Sequence, residues 1–442
     1  GFKSTINATT MKLIKLISIV TVCVTTLNAQ QTPGNQQSKS VAIIGATAHI
    51  GNGEIIENSI VVFDSGIIQN ISTYNGGEDI SKMDVIKASG QHIYPGFIVP
   101  NSTLGLIEID AVRASDDNEE IGTWNPHIRS LIAYNAESKV VESMRPNGVL
   151  LAQITPRGGR ISGTSSVVQL DAWNWEDAVV KQDGGIHLNW PNTLSRGRWW
   201  LGEGSELKIN PKYSSQILEI ETYFKHSKAI LNSNKGSLNL PMFAMKGLFD
   251  NSKTLFVHVN DEKGIIDAVE FSKKQGITKI VIVGGYETYK LAAYLKESNV
   301  SVLLQRVHSR PSNDDHDYDL PFKMAKILVD EGVTVALETS GDMERMNSRN
   351  LPFYAGTTVA HGLSKEQALQ LISLNTAKIL GIDSKYGSLE IGKSATLFVS
   401  KGDALDMRTN QLTNAFVDGR KISLESHQTE LWKRYSKKYS IN

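Results

Sequence analysis

The sequence predicts an α/β protein whose parallel sheet closes into a barrel, accompanied by a small β-sandwich drawn from both ends of the chain. Three observations carry this. Strand-like and helix-like segments alternate through the middle of the 442 residues. Short β-type runs gather near each terminus, and neither group alone has enough strands to bury a hydrophobic face. The chain also lacks a Gly-x-Gly-x-x-Gly turn, which weighs against a doubly wound sheet.

The elements follow in order. From Met11, a basic start (Lys12, Lys15), an apolar run Leu16–Val24 and a small residue at Ala29 predict a signal peptide over 11–29 and an exported or periplasmic protein. The apolar run is shorter than a membrane span. Cys23 follows Val22 rather than a small residue, which argues against lipidation. It is the only cysteine, so the mature chain holds no disulfide, thiolate nucleophile or cysteine metal site. Residues 30–40 are polar and contain Gly and Pro, and read as a disordered leader.

The first sandwich part spans 41–94, with runs Val41–Ile44, Ser59–Asp64 and Ile67–Ser72 separated by Gly51-Asn52-Gly53 and Ser65-Gly66. Within 95–383, strands are expected at Val149–Ile154, Thr254–Val259, Lys279–Val283, Val300–Leu304 and Thr334–Leu337. Helices are expected at Lys263–Gln275, Tyr286–Ser298, Pro321–Glu331 and Lys365–Leu380. The second sandwich part, 384–424, carries Ala395–Ser400, Leu412–Val417 and Lys421–Ser423, and a helical tail occupies 425–442. Basic and acidic side chains balance at 46 each, which gives no overall electrostatic case for nucleic acid or an anionic surface.

Several clusters can carry chemistry. The loop 155–163 combines Arg157, Gly158, Gly159 and Arg160: either an anion or substrate contact, or a tight turn that needs the same glycines. The loop His308–Asp319 is acidic with two histidines: either a cation site or a solvated loop capping the next helix. Trp173, Trp175, Trp190, Trp199 and Trp200 with Arg196 and Arg198 form either a binding surface or a local core. The charged loop around Arg113, with Asp110, Asp116, Asp117, Glu119 and Glu120, reads as a rim or a contact surface rather than a catalytic dyad.

The segment Tyr94–Thr103, the opening runs Val41–Thr47 and Gly51–Ile56, and the closing runs Asn375–Ile382 and Gly387–Ala395 together resemble the amidohydrolase superfamily, notably its imidazolonepropionase-like members. The resemblance covers roughly 41–423, apart from a divergent stretch near 171–250. It implies a TIM-type (β/α)8 barrel over 95–383 and a composite β-sandwich formed by the N- and C-terminal segments.

It also implies metal ligands at strand ends: a His pair on the first strand, a Lys or Glu on the fourth, a His on each of the fifth and sixth, and an Asp on the eighth. Carried over, the first-strand pair falls on Asn101 and Thr103, the sixth-strand position on Gly284 and the eighth on Ser340, so these ligand positions are degenerate. His258 on the fifth strand remains a candidate metal ligand, and Asp342 a candidate catalytic group after a local shift. The fourth-strand position is not placed.

No cofactor is therefore expected. The expected function is an exported member of a family that acts on carbon–nitrogen bonds other than peptide bonds, here metal-deficient and serving as a binding or partner subunit. It would pair as a homo- or hetero-oligomer with a related amidohydrolase, with no nucleic acid and no transmembrane segment. The alternative is an active hydrolase of cyclic amides or dipeptide-like molecules that uses zinc at a relocated site built from His258, Asp342 and the His308–Asp319 loop.

Overall fold

Two sheets organise the chain, and the larger curls almost completely on itself. The structure, a computed structural model, describes residues 32–197, 201, 202, 204, 206–232 and 239–439. The expected signal peptide, Cys23, Arg198, Trp199 and Trp200 lie outside the described residues.

The first sheet joins both ends of the chain. It contains β1 (Val41–His49), β2 (Ile55–Asp64), β3 (Ile67–Thr73), β4 (Asp84–Lys87) and β5 (His92–Pro95). The barrel sheet contains β6 (Phe97–Ser102), β7 (Val149–Ile154), β8 (Ile161–Gln169) and β9 (Val179–Asn189). A hairpin of β10 (Leu194–Arg196) and β11 (Leu207–Ile209) stands apart. β12 (Thr254–Val259), β13 (Ile280–Gly284), β14 (Ser301–Leu304) and β15 (Val335–Leu337) complete the barrel sheet. β16 (Leu397–Ser400), β17 (Leu412–Val417) and β18 (Arg420–Lys421) return to the first sheet.

The joint between the chain ends is the antiparallel pair β5–β16, with Leu397 opposite Pro95 and Phe398 opposite Tyr94. Along the sheet the order is β18-β17-β16-β5-β1-β2-β3, with β4 beside β1. This hydrogen bonding makes one continuous sheet; it does not by itself establish the second facing layer of a sandwich. Buried Asp171 fastens the joint from the barrel side. Its carboxylate accepts from Arg145 (2.7 Å), Arg420 (2.9 Å) and the Gly34 backbone N–H (2.8 Å).

The barrel sheet runs β6-β7-β8-β9-β12-β13-β14-β15. Its strands read as near-continuous apolar runs because both faces are covered; β6, β7 and β8 are buried along their whole length. The uniform parallel pattern fails at one place. β8 pairs antiparallel with both β7 and β9, so a meander replaces one β/α unit. The remaining neighbours are parallel.

The last and first strands touch without a ladder between them. The gap is bridged by a turn: Ile98 N–H donates to the Ile372 carbonyl (2.9 Å) and Leu337 N–H to the Leu371 carbonyl (3.1 Å). This explains why the single helix expected over Lys365–Leu380 is two, Lys365–Gln370 and Leu374–Leu380. The carbonyls needed for closure are freed by breaking the helix. A Ser364–Gln367 capping box starts the first half, and Gly381 at φ +65° ends the second. The segment expected as helix from Tyr286 begins instead as a 3₁₀ stretch, Tyr286–Leu291, before Ala292–Glu297.

Candidate functional site

The C-terminal strand ends open into a cavity of ≈ 820 Å³, the usual position of ligand sites in barrels of this kind. Asn101, Asn189, His258, Asn260, Gly284 and Ser340 are among its lining residues, together with Arg160, Trp190, Gln305 and Glu338.

Asn101 stands at an irregularity in β6: pairing with β7 shifts between Val99 and Ser102, and Asn101 has φ +51°. Such a bulge re-aims a side chain at a strand end, and Asn tolerates this backbone better than most residues. Three partners fix it. Its backbone N–H donates to Gln153 Oε1 (2.9 Å), and its Nδ2 donates to Glu338 Oε2 (2.7 Å). Arg157 clamps it from the other side, donating to its Oδ1 (3.0 Å) and its backbone carbonyl (2.7 Å). Thr103 does not line the cavity. Its N–H and hydroxyl both donate to Glu344 Oε2, at 3.0 and 2.7 Å.

Glu338 is the carboxylate of the mouth, and its side chain is fully buried. Burial pushes its pKa up to about 7, against the opposing pull of the Ser340 and Asn101 hydrogen bonds and of the Arg157 charge. Ser340 donates to Glu338 Oε1. Arg157 also lies 4.0 Å from Glu344. One fixed cation thus serves two carboxylates and a bulged backbone.

His258 and His187 form a second layer. His187, buried on β9, contacts His258 Nε2 through its Nδ1 at 2.9 Å and Ser165 Oγ through its Nε2 at 2.8 Å, and stacks on Phe256. Gln153 Nε2 donates to Ser165 at 3.0 Å, so polar contacts run unbroken from Asn101 through Gln153, Ser165 and His187 to His258. His258 is half-buried and keeps an edge on the cavity. Burial, then the Arg157 charge, pushes its pKa down to about 3, and burial pushes His187 well below the ordinary histidine value.

The other expected positions separate. Asp342 is exposed, does not line the cavity, and accepts through its backbone carbonyl from Arg306 and Asn347. Gly284 lines the cavity at φ +86°, where a Cβ would meet Asn260 Oδ1 at 2.6 Å. The loop around Arg157 connects β7 to antiparallel β8, so it is not a βα loop. Gly158 and Gly159 present carbonyls, not amides, to Asn189 Nδ2 (3.3 and 2.9 Å). Arg157 turns inward to Asn101, and Arg160 lines the wall, donating to the Asn189 carbonyl.

The two histidines of the 308–319 loop are committed separately: His308 to Thr357 (2.7 Å) and His316 to the Tyr286 hydroxyl (3.0 Å). Trp190 is buried and donates to the Tyr213 hydroxyl (3.0 Å), Trp175 packs on the core, and Trp173 is exposed. Asp110 pairs with Arg345 (2.7 and 2.9 Å), not with Arg113.

Sequence reasoning missed Glu338, Glu344, His187 and Asn189. Asn189 ends the fourth barrel strand in register with His258. The alternation in Gly185-Ile186-His187-Leu188-Asn189 was the available signal for both β9 residues. Catalytic zinc usually takes three protein ligands. Among the described residues no group of three or more His, Cys, Asp or Glu is arranged to hold a metal ion. The His258 Nε2 atom is already engaged, and the nearby positive centre is Arg157.

Comparison with known proteins agrees with this architecture. The amidohydrolase family pattern matches residues 245–422. An amidohydrolase from Hapsidospora irregularis is 24% identical over 346 residues, 68% of this chain and 34% of the relative. An imidazolonepropionase from Clostridium tetani is 23% identical over 404 residues, 79% of this chain and 86% of that protein. A crystal structure of an amidohydrolase from Thermotoga maritima superposes with a TM-score of 0.75 at 21% identity, covering 87% of this chain and 99% of the other.

The family pattern, these relatives and the solved structure all liken the chain to the amidohydrolase superfamily. It spans about a third of the length of the Hapsidospora relative. The structural likeness carries the TIM-type barrel, here with one strand reversed.

Proposed function

We propose that this amidohydrolase-superfamily protein binds a small polar molecule in the barrel mouth without a catalytic divalent metal, as an exported binding or partner subunit. The observation that carries the reading is Arg157. Its guanidinium clamps Asn101, stands 4.0 Å from Glu344 and adds to the burial that depresses His258. A divalent ion at the same strand ends would meet a fixed positive charge, the Asn101 amide and the Ser340 hydroxyl beside Gly284, which offers no side chain, while the Glu338 carboxylate and the His258 imidazole are already hydrogen-bonded within the protein. Neutral amides and hydroxyls are poor zinc ligands. Export rests on the Met11–Ala29 segment alone, and pairing with a related amidohydrolase on the family resemblance.

One observation favours a second reading. Glu338 reaches the cavity beside Ser340 with a pKa near neutrality, which suits general acid–base work. In that reading the hydrolase alternative moves from Asp342 to Glu338.

Elemental analysis of the purified, dialysed protein, with hydrolysis assays on cyclic amides and dipeptides, separates the two. The binding reading expects well under one equivalent of zinc, manganese or iron per chain and no turnover. About one equivalent of metal, lost together with activity in His258→Ala, would overturn it. Turnover without metal, abolished in Glu338→Gln, would establish the second reading.

A further inference from the structure

The C-terminal helix, His427–Tyr439, lies beyond the family-matched segment, which ends at residue 422. Only Ser436 of this helix is buried. Trp432, Tyr435 and Tyr439 recur at i, i+3 and i+7 and share one face. They are 63%, 49% and 61% exposed, and the two tyrosines stack on each other.

Basic side chains cover the rest of the helix surface: Lys438 stands beside the stripe, Lys433 and Arg434 lie further round, and Lys437 lies opposite it. Lys433, Arg434, Lys437 and Lys438 stand against the single acid Glu430, so four positive charges less one negative leave the helix at +3. The whole chain is balanced, so the excess is local. Lys433 reaches back to Glu425, and Lys438 lies over the Tyr439 ring at 5.0 Å.

We propose that this helix docks the protein on an anionic lipid surface. Aromatic rings with a polar edge settle at headgroup depth, and the long basic side chains of the polar face are drawn to the anionic surface. A protein partner is the weaker match, because lysine is depleted at the buried centre of protein interfaces. Thirteen residues with three rings hold a membrane only weakly, so the association is reversible and screened by salt. The helix hangs from the far end of the barrel. Its first amide, on His427, donates to Glu142 at 2.7 Å, and the helix Lys139–Glu142 leads into the start of β7, opposite the cavity. Docking there leaves the mouth facing away from the lipid.

The test is vesicle flotation of the purified full chain, comparing phosphatidylcholine vesicles with vesicles containing a quarter phosphatidylglycerol. The expected result is flotation with the anionic vesicles only, reversed by high salt. Lys437→Glu with Lys438→Glu weakens it at least about tenfold, and Trp432→Ala weakens it severalfold. Circular dichroism and size-exclusion chromatography establish that both variants keep the wild-type fold, since the changed residues are exposed. Absence of flotation, equal partition onto neutral vesicles, or variants that bind like wild type would overturn the proposal. So would a dimer in light scattering that Trp432→Ala dissolves, because a second copy of the chain would then be what covers the stripe.

Discussion

Replacing Glu338 with Gln removes one ionisation and little else. The amide keeps the shape of the side chain, its oxygen accepts from Asn101 Nδ2, and its nitrogen donates to Ser340 Oγ in place of the bond that Ser340 now makes to Oε1. The native carboxyl titrates at about 7 in the fold, against an ordinary value of 4.5. At ~1.4 kcal/mol per unit, the raised pKa is worth about 3 kcal/mol.

The sign follows from where each state ionises. Below about 4.5 both folded and unfolded chains carry the proton, and the stability from the neutral carboxyl is fully present. As pH rises to about 7 the unfolded chain ionises while the fold holds its proton, so that stability is lost progressively; above about 7 the loss is complete. Urea unfolding of wild type and Glu338→Gln across this range reads the effect directly. The variant gains about 3 kcal/mol on wild type between the two ends of the window, and any pH-independent cost of the substitution cancels in that difference. His187 and His258, both held neutral, lower the acid stability of both proteins alike and cancel in the difference. Two parallel curves would show that Glu338 titrates as an ordinary surface carboxyl, and would remove the electrostatic basis of the mouth described above.

Three further outcomes test the architecture. Asp171→Ala leaves two arginines without the buried carboxylate that joins them and costs about 3–5 kcal/mol, measured as a loss of unfolding free energy; a change under about 1 kcal/mol would contradict the fastening role. Gly284→His, the substitution that would restore a family ligand, meets positive φ and the Asn260 side chain, and is expected to lower stability by at least about 2 kcal/mol without raising bound zinc in elemental analysis. Truncation after Gly387 removes β16 from beside β5 and takes Phe398 from its stack with Tyr94 and Phe97, so the product is expected to be insoluble on expression.

Much of the fold was legible because the signals were local. Val149–Ile154 and Thr254–Val259 are strands over the expected residues, since apolar, β-branched runs closed by turns have few other uses. The reversed β8 was not legible. Its residues, Ile161–Gln169, carry no mark of direction, which is set by a short connection at Arg157–Arg160 rather than by a helix. The single helix expected over Lys365–Leu380 failed for a non-local reason, the demand of β6 and β15 for two carbonyls.

At the site, motif spacing led to residues that share one cavity: Asn101, His258, Gly284 and Ser340 all line it. Glu338 was hidden because the family frame drew attention two residues on, to Ser340 and beyond to Asp342. Nothing in Ala336-Leu337-Glu338-Thr339 says that this carboxylate is buried rather than exposed. Its meaning depends on Asn101 and Arg157, 237 and 181 positions earlier in the chain.

On the proposed reading, the residues at the mouth form one electrostatic unit. A guanidinium is covalently part of the chain and charged at every working pH. Placed on Asn101, it supplies positive charge at the end of the first strand without exchange, and the neighbouring groups answer to it. It pulls against the burial that raises Glu338, it pairs with Glu344, and with burial it holds His258 neutral. Burial first, and this charge second, remove the histidine from acid–base service at neutral pH, and the same charge opposes a second cation. The surviving imidazole does not argue for a surviving metal. Its partners are His187, Ser165 and Gln153, and through them it braces the backbone that Arg157 clamps.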